Sequence, residues 1–168
     1  MDINFFNQKY HTEQPRNDAS FGLSDDNRLA FTTTDKSVSI AKVCNPHRVK
    51  IQFVPLDHNI IIKDTQGKDI SMCDAMIYTP EKSPKKDIYF IEIKEQMANW
   101  LPKAISQLGS TIQIFSQNHI LTDFSHRTAT AANKNHPYFQ HSHKERCQAF
   151  RAKFGFRLNI CERVDIKP

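Results

Sequence analysis

The run Asp87-Ile-Tyr-Phe-Ile-Glu-Ile-Lys-Glu95 constrains this chain more than any other stretch. It is rich in Ile, Tyr and Phe, which suits a strand. Ile88 to Ile93 is nearly all apolar, and that suits a central strand better than an exposed one. Side chains along a strand point alternately to opposite faces. Glu92 and Lys94 therefore share a face with Phe90, and Tyr89, Ile91 and Ile93 take the other. A carboxylate and an ammonium in such a strand are costly to bury unless paired or metal-bound. Upstream, Asp69-Ile-Ser-Met-Cys-Asp-Ala-Met-Ile-Tyr78 alternates apolar and polar residues and reads as a second strand. The link from Thr79 to Lys86 carries two prolines and four charges, so it reads as a loop. Two antiparallel strands joined this way bring Asp74 beside Glu92 and Lys94.

Asp74 followed 18 positions later by Glu92-Ile93-Lys94 resembles the signature of the PD-(D/E)XK nuclease superfamily. The family's leading Pro is replaced here by Cys73. The resemblance implies that Asp74, Glu92 and the backbone carbonyl of Ile93 hold Mg2+, with Mn2+ as the substitute ion. It implies that Lys94 positions or activates the attacking water. It also implies an α/β fold with a restriction-endonuclease-like core: a mixed sheet of about four to five strands flanked by helices, in αβββαβ order. The competing account of the same residues is a hairpin whose charged face meets only water.

One domain spanning residues 1–168 is expected, since a chain of this length buries a core without staples. Hydrophobic content of 39% with 12 Phe fits a packed globule. No apolar run approaches the roughly 20 residues of a membrane-spanning helix. Met1 to Phe5 lacks the basic and apolar regions of a signal peptide. Cys44, Cys73, Cys147 and Cys161 form no Cys-x-x-Cys pair, which points to reduced thiols in the cytoplasm. Cys73 itself reads as a small core residue.

The net charge of +5 is unevenly spread. Of 23 basic and 18 acidic residues, 14 and 14 lie in residues 1–118, and the other 9 and 4 lie in residues 119–168. A basic C-terminal part suits a polyanionic partner, against the alternative of an ordinary basic surface. Lys103, Lys134, Lys144, Arg146, Arg151 and Lys153 are the candidate phosphate contacts.

Along the chain, residues 1–30 read as an irregular arm pinned by Phe5, Phe6 and Phe21. Residues 35–135 read as the core, and residues 136–168 as a basic helix and strand. Asp35 to Asn45 reads either as a short helix capped by Asp35 or as a strand. Arg48 to Val54 and Asn59 to Asp64 read as strands. Asn99 caps an expected helix from Trp100 to Gln117, with Pro102 in its first turn. Ile105, Leu108, Ile112 and Phe115 form its apolar stripe. Gln107 lies off the stripe. By resemblance to exonuclease-like branches of the superfamily it is a catalytic candidate, although Thr111 stands where those branches carry Tyr. Arg127 to Lys134 reads as a strand of small residues, His141 to Phe154 as a helix, and Phe156 to Cys161 as a closing strand.

Three functions are open at this point. The first is a Mg2+-dependent nuclease acting on DNA, working as a homodimer or with a partner protein, in a defence or DNA-processing system. The second is an inactive subunit of the same fold that binds nucleic acid or a partner protein. The third is a metal site built from His136, His141, His143 and Cys147, against the simpler account of exposed histidines beside a basic helix.

Overall fold

The computed structural model describes residues 2–95, 98–135 and 143–168. It is a mixed α/β structure with two sheets of mixed strand orientation and, among the described residues, two α-helices. The strands are β1 (Ser20–Asp25), β2 (Ala30–Thr33), β3 (Ala41–Cys44), β4 (Gln52–Pro55), β5 (Ala75–Tyr78), β6 (Lys86–Lys94), β7 (Phe124–Asn133), β8 (Arg157–Ile160) and β9 (Arg163–Asp165). The helices are α1 (Trp100–Asn118) and α2 (Lys144–Phe154).

The larger sheet has the order β4-β5-β6-β7-β8. Its first three strands run as an antiparallel meander, and β7 and β8 are parallel to β6. The central position of β6 follows from its composition, because Asp87 through Ile93 are all buried. Alternation then sorts its side chains. Ile88 and Phe90 enter one core with Leu108, Ile112 and Phe115 of α1 and Phe150 of α2. Tyr89, Ile91 and Ile93 enter a second core with Phe21, Leu23, Val43 and Val164 of the smaller sheet. The result is three layers: helices, the five-stranded sheet, and a four-stranded sheet of order β2-β1-β3-β9. Ala129, Ala131 and Ala132 of β7 have no exposed surface, so small side chains there let the neighbouring layers approach closely.

That second sheet was not expected. Residues 1–30 are not an irregular arm: they contain a short 3-10 turn at Gln8–Tyr10, all of β1 and the first residue of β2. Phe5 and Phe6 do pin the segment, each packing edge-on against Phe115 at 5.3 and 5.9 Å. Of the two readings of residues 35–45, the helix is absent and the strand is met in part, as a turn followed by β3. The Asp35 carboxylate accepts the Ser37 N–H at 2.9 Å and so closes a local turn in place of a helix. Asn59 to Asp64 is not a strand either. Asn59 Nδ2 donates to the carbonyls of Pro55 and Tyr10, and the N–H groups of Asn59 and Ile60 both return to the Leu56 carbonyl. Ile60 and Ile62 are buried while Ile61 is exposed, so the apolar run plugs the helix-side core from a loop.

The other boundaries shift by a few residues. The strand expected from Asp69 starts only at Ala75, and the strand expected from Arg48 starts at Gln52 with a single bridge at Ile51. The helix expected from His141 begins, among the described residues, at Lys144. The β9 strand was not foreseen. Asn99 does precede α1, but in the left-handed region (φ 53) and with no side-chain capping bond, so it turns the chain and does not cap.

Candidate functional site

The hairpin of β5 and β6 sets the site. Its register pairs Ala75 with Ile91, which puts Asp74 opposite Glu92 at the next position. Asp74 lies just outside the strand, and its backbone N–H donates to Glu92 Oε2 at 3.2 Å. In return Asp74 Oδ2 accepts the Ile93 N–H at 2.6 Å. Lys94 Nζ lies 2.6 Å from Glu92 Oε1, with the lysine side chain 14% exposed and the glutamate 0%. Glu92 Oε1 is fully buried, and Lys94 is its charge partner. The structure therefore brings together Asp74, Glu92, Ile93 and Lys94.

Burial is the main influence on both carboxyls. It raises Glu92 from an ordinary 4.5 to about 8, with the Asp74 charge adding to the rise and Lys94 opposing it. It raises Asp74 from 3.8 to about 6, opposed by the Ile93 N–H and reinforced by Asp25 and Asp57. Both groups favour losing their charge or gaining a cation.

This donor set fits a hard divalent ion. Magnesium binds through one or two carboxylates and completes its shell with water and phosphate oxygens. Each carboxylate has one oxygen on a backbone N–H, which holds it in place, while the second oxygen of Glu92 lies against Lys94. Among the described residues no group of three or more His, Cys, Asp or Glu is arranged to hold a metal. Asp25 and Asp57 come nearest to extending the pair: with Asp74, His58 and Arg28 they line a cavity of about 110 Å³. Neither was singled out in the sequence. Both sit where a strand has just ended, and only the fold reveals that these ends meet.

Gln107 does not reach the carboxylates through any hydrogen bond among the described residues. Its Nε2 donates to Ser71 Oγ at 3.0 Å and to the Met72 carbonyl at 3.4 Å. Thr111, one turn on, accepts the buried Cys73 N–H at 2.7 Å and donates to the Gln107 carbonyl. The two residues thus moor the segment that leads into Asp74 onto α1. Gln107 is a positioning residue here, and Thr111 does more of that work than its sequence position suggested. Cys73 is fully buried, as a core residue should be, and burial pushes its thiol well up.

The candidate phosphate contacts separate. Lys103 is exposed on the first turn of α1. Lys134 follows β7 and lines a cavity against the smaller sheet with Lys36, Lys42 and Glu162. On α2, Lys144 and Arg151 face a groove beside β8, whereas Arg146 and Lys153 face a different cavity between the two helices. Positions two apart on a helix point roughly 200° from each other, so these four cations do not form one surface. Of the histidine site, His136 and His141 lie outside the described residues. Cys147 lines the β8 groove, where burial raises its thiol.

Comparison of the chain with protein-family models, with curated proteins and with solved structures finds no match.

Proposed function

We propose that this chain is a metal-dependent nuclease that hydrolyses phosphodiester bonds in DNA, on a restriction-endonuclease-like core. The observation that carries the reading is the pair Asp74 and Glu92. They are two adjacent carboxyls, Glu92 held by the Asp74 N–H and Asp74 by the Ile93 N–H, both driven upward in pKa by burial, with a nearly buried lysine against one of them. Desolvated acids and a lysine poised together in this way are characteristic of catalytic sites. The meander of β4, β5 and β6, then α1, then β7 parallel to β6, supports the fold assignment.

Asp74 and Glu92 would hold Mg2+ or Mn2+, with the Ile93 carbonyl as a further donor. When bound, the ion polarises the scissile phosphate and lowers the pKa of a coordinated water. The protein's own residues do the rest. The backbone N–H groups of Ile93 and Asp74 hold one oxygen of each carboxylate in place before any ion binds. Lys94, released from Glu92, presents its ammonium to the attacking water and to the charge that builds on the phosphate oxygens. Water oxygen bonds to phosphorus, the bond from phosphorus to the leaving deoxyribose oxygen breaks, the water proton passes to solvent, and the leaving oxygen takes a proton from solvent. Thr111 and Gln107 keep Asp74 in register with α1.

A second reading is an inactive subunit of the same core, working through a partner protein or a second copy. Its support is that both carboxylates are already engaged by backbone N–H groups and Lys94. Incubation with plasmid and with single-stranded DNA and RNA, in Mg2+, Mn2+ or EDTA, separates the two. A nuclease cuts in metal and not in EDTA, and an inactive subunit cuts in neither.

A further inference from the structure

The free edge of the larger sheet carries a feature that the carboxylate site does not use. β8 is the last strand in that sheet, and no strand covers its outer side among the described residues. A groove of about 620 Å³ runs beside it. The α2 side contributes Lys144 and Arg151, β8 contributes Arg157, and the chain through β9 contributes Arg163 and Lys167. These five cations are exposed. Asp165 is the one acidic residue lining the groove, and it is held 3.0 Å from Arg163 Nε. Neutral Thr128, Gln148 and Asn159 line it as well, and among the described residues no Phe, Tyr, Trp or His does.

We infer that this groove binds the phosphate backbone of duplex DNA without regard to sequence. The charge excess matches a polyanion, and Lys and Arg on such a surface bind phosphate by releasing condensed counterions. Proteins that grip single strands stack bases on aromatic rings, and none lines this groove among the described residues. Phosphate contacts position a duplex but carry no sequence information. The location fits as well. Glu92 of β6 pairs with Ala131, and Ala131 with Ile160 of β8. Ile160 and Cys161, which line the groove, are thus level with Glu92 and about 10 Å from it, two strand spacings, with Asp74 one spacing farther. A duplex bound at the groove would pass close to the site. Choosing DNA over an acidic protein rests on the nuclease reading.

The test compares two variants. Lys144→Ala/Arg151→Ala/Arg157→Ala removes three groove cations. Arg146→Ala/Lys153→Ala removes the two cations on the opposite side of the same helix. All five side chains are exposed, and thermal melts of each variant check that it folds. Binding to a short labelled duplex of mixed sequence is measured at several salt concentrations in Ca2+, so that affinity is read without cleavage. The triple variant is expected to flatten the slope of log affinity against log salt by about 2.7, or 0.9 per lost contact. The double variant should leave the slope unchanged. Binding that fades in the triple variant, from a protein that cuts nothing in Mg2+, supports the groove and removes the nuclease reading. An unchanged slope in the triple variant overturns the groove, even if the protein cuts. So does an equal loss in the double variant. Tighter binding of a single strand of the same length overturns the duplex assignment. Equally tight binding of a poly-glutamate peptide, lost in the triple variant, assigns the groove to an acidic protein instead.

Discussion

Glu92 has no exposed surface, yet it faces Asp74 on one side and Lys94 on the other. Its folded pKa of about 8 lies above its ordinary 4.5, so the native state holds the proton more tightly than the unfolded chain does. Asp74, moved from 3.8 to about 6, acts in the same direction. The resulting stabilisation is full below the unfolded values and is lost as pH rises through the folded ones. Without metal, melting temperature should therefore fall as pH increases from about 4 to 8. Glu92→Gln keeps the acceptor for the Asp74 N–H and removes the charge. It should flatten that profile and gain roughly 1–3 kcal/mol at pH 8. A profile as steep as wild type's would show that Glu92 does not titrate in this window.

The same residues predict proton release. Near pH 7 Glu92 is mostly protonated and a metal ligand must not be. Calorimetry of Mg2+ or Ca2+ binding in buffers of different ionisation enthalpy should report about one proton released per ion, and affinity should rise with pH. Binding with no proton release would place the ion elsewhere. Lys94 is the contrasting case, since an ammonium is not a cation ligand. Lys94→Ala should lower kcat by about 10²-fold or more while leaving Ca2+ affinity within a few-fold. A folded variant that loses Ca2+ binding would contradict the role given to it.

At the level of elements, the hairpin was legible because its chemistry breaks its own pattern. Asp87 to Ile93 is apolar enough to be central, so Glu92 stood out as a charge with no cheap burial. The loop between the strands placed Asp74 near Glu92 and Lys94, and the observed pairing of Ala75 with Ile91 agrees. The stripe on α1 was equally plain, with Leu108, Ile112 and Phe115 buried and Ile105 partly so. What local pattern did not reveal was anything set by distant contacts. The leading helix became a turn because the Asp35 carboxylate closes it, and β3 forms only against β1 and β9. The cations of α2 looked like one basic face in a list of residues, while two different neighbours divide them. Thr111 looked like a failed match to a Tyr pattern, and it instead holds the Cys73 N–H. Thr111→Val should leave that buried N–H unpaired and cost about 1–3 kcal/mol. Cleavage should fall further than stability alone explains, because the segment leading into Asp74 loses its mooring. If kcat at a temperature where the variant is fully folded equals wild type's, the mooring has no role in catalysis.

Across the whole molecule, the layers explain why the site lies where it does. The four-stranded sheet and the two helices cover the faces of the larger sheet, and the ends of β5 and β6 bring one carboxylate each to a common point. Asp25 and Asp57 approach Asp74 from the ends of β1 and β4, so three strand termini place acid near one cavity. Among the described residues no helix is long and apolar enough to cross a membrane. The basic groove lies on the β8 edge of the same sheet, two strands from Glu92 and three from Asp74. Catalysis and grip are therefore separable by mutation. Supercoiled plasmid should be incubated with wild type, Asp74→Asn and Glu92→Gln, each in Mg2+, Mn2+ and EDTA, and cutting followed against time. A nuclease centred on these carboxylates cuts in Mg2+ or Mn2+, is silent in EDTA, and is silent in both variants while they remain folded. Cutting by either variant at the wild-type rate, or by wild type in EDTA, contradicts it, and so does a wild type that cuts under none of these conditions.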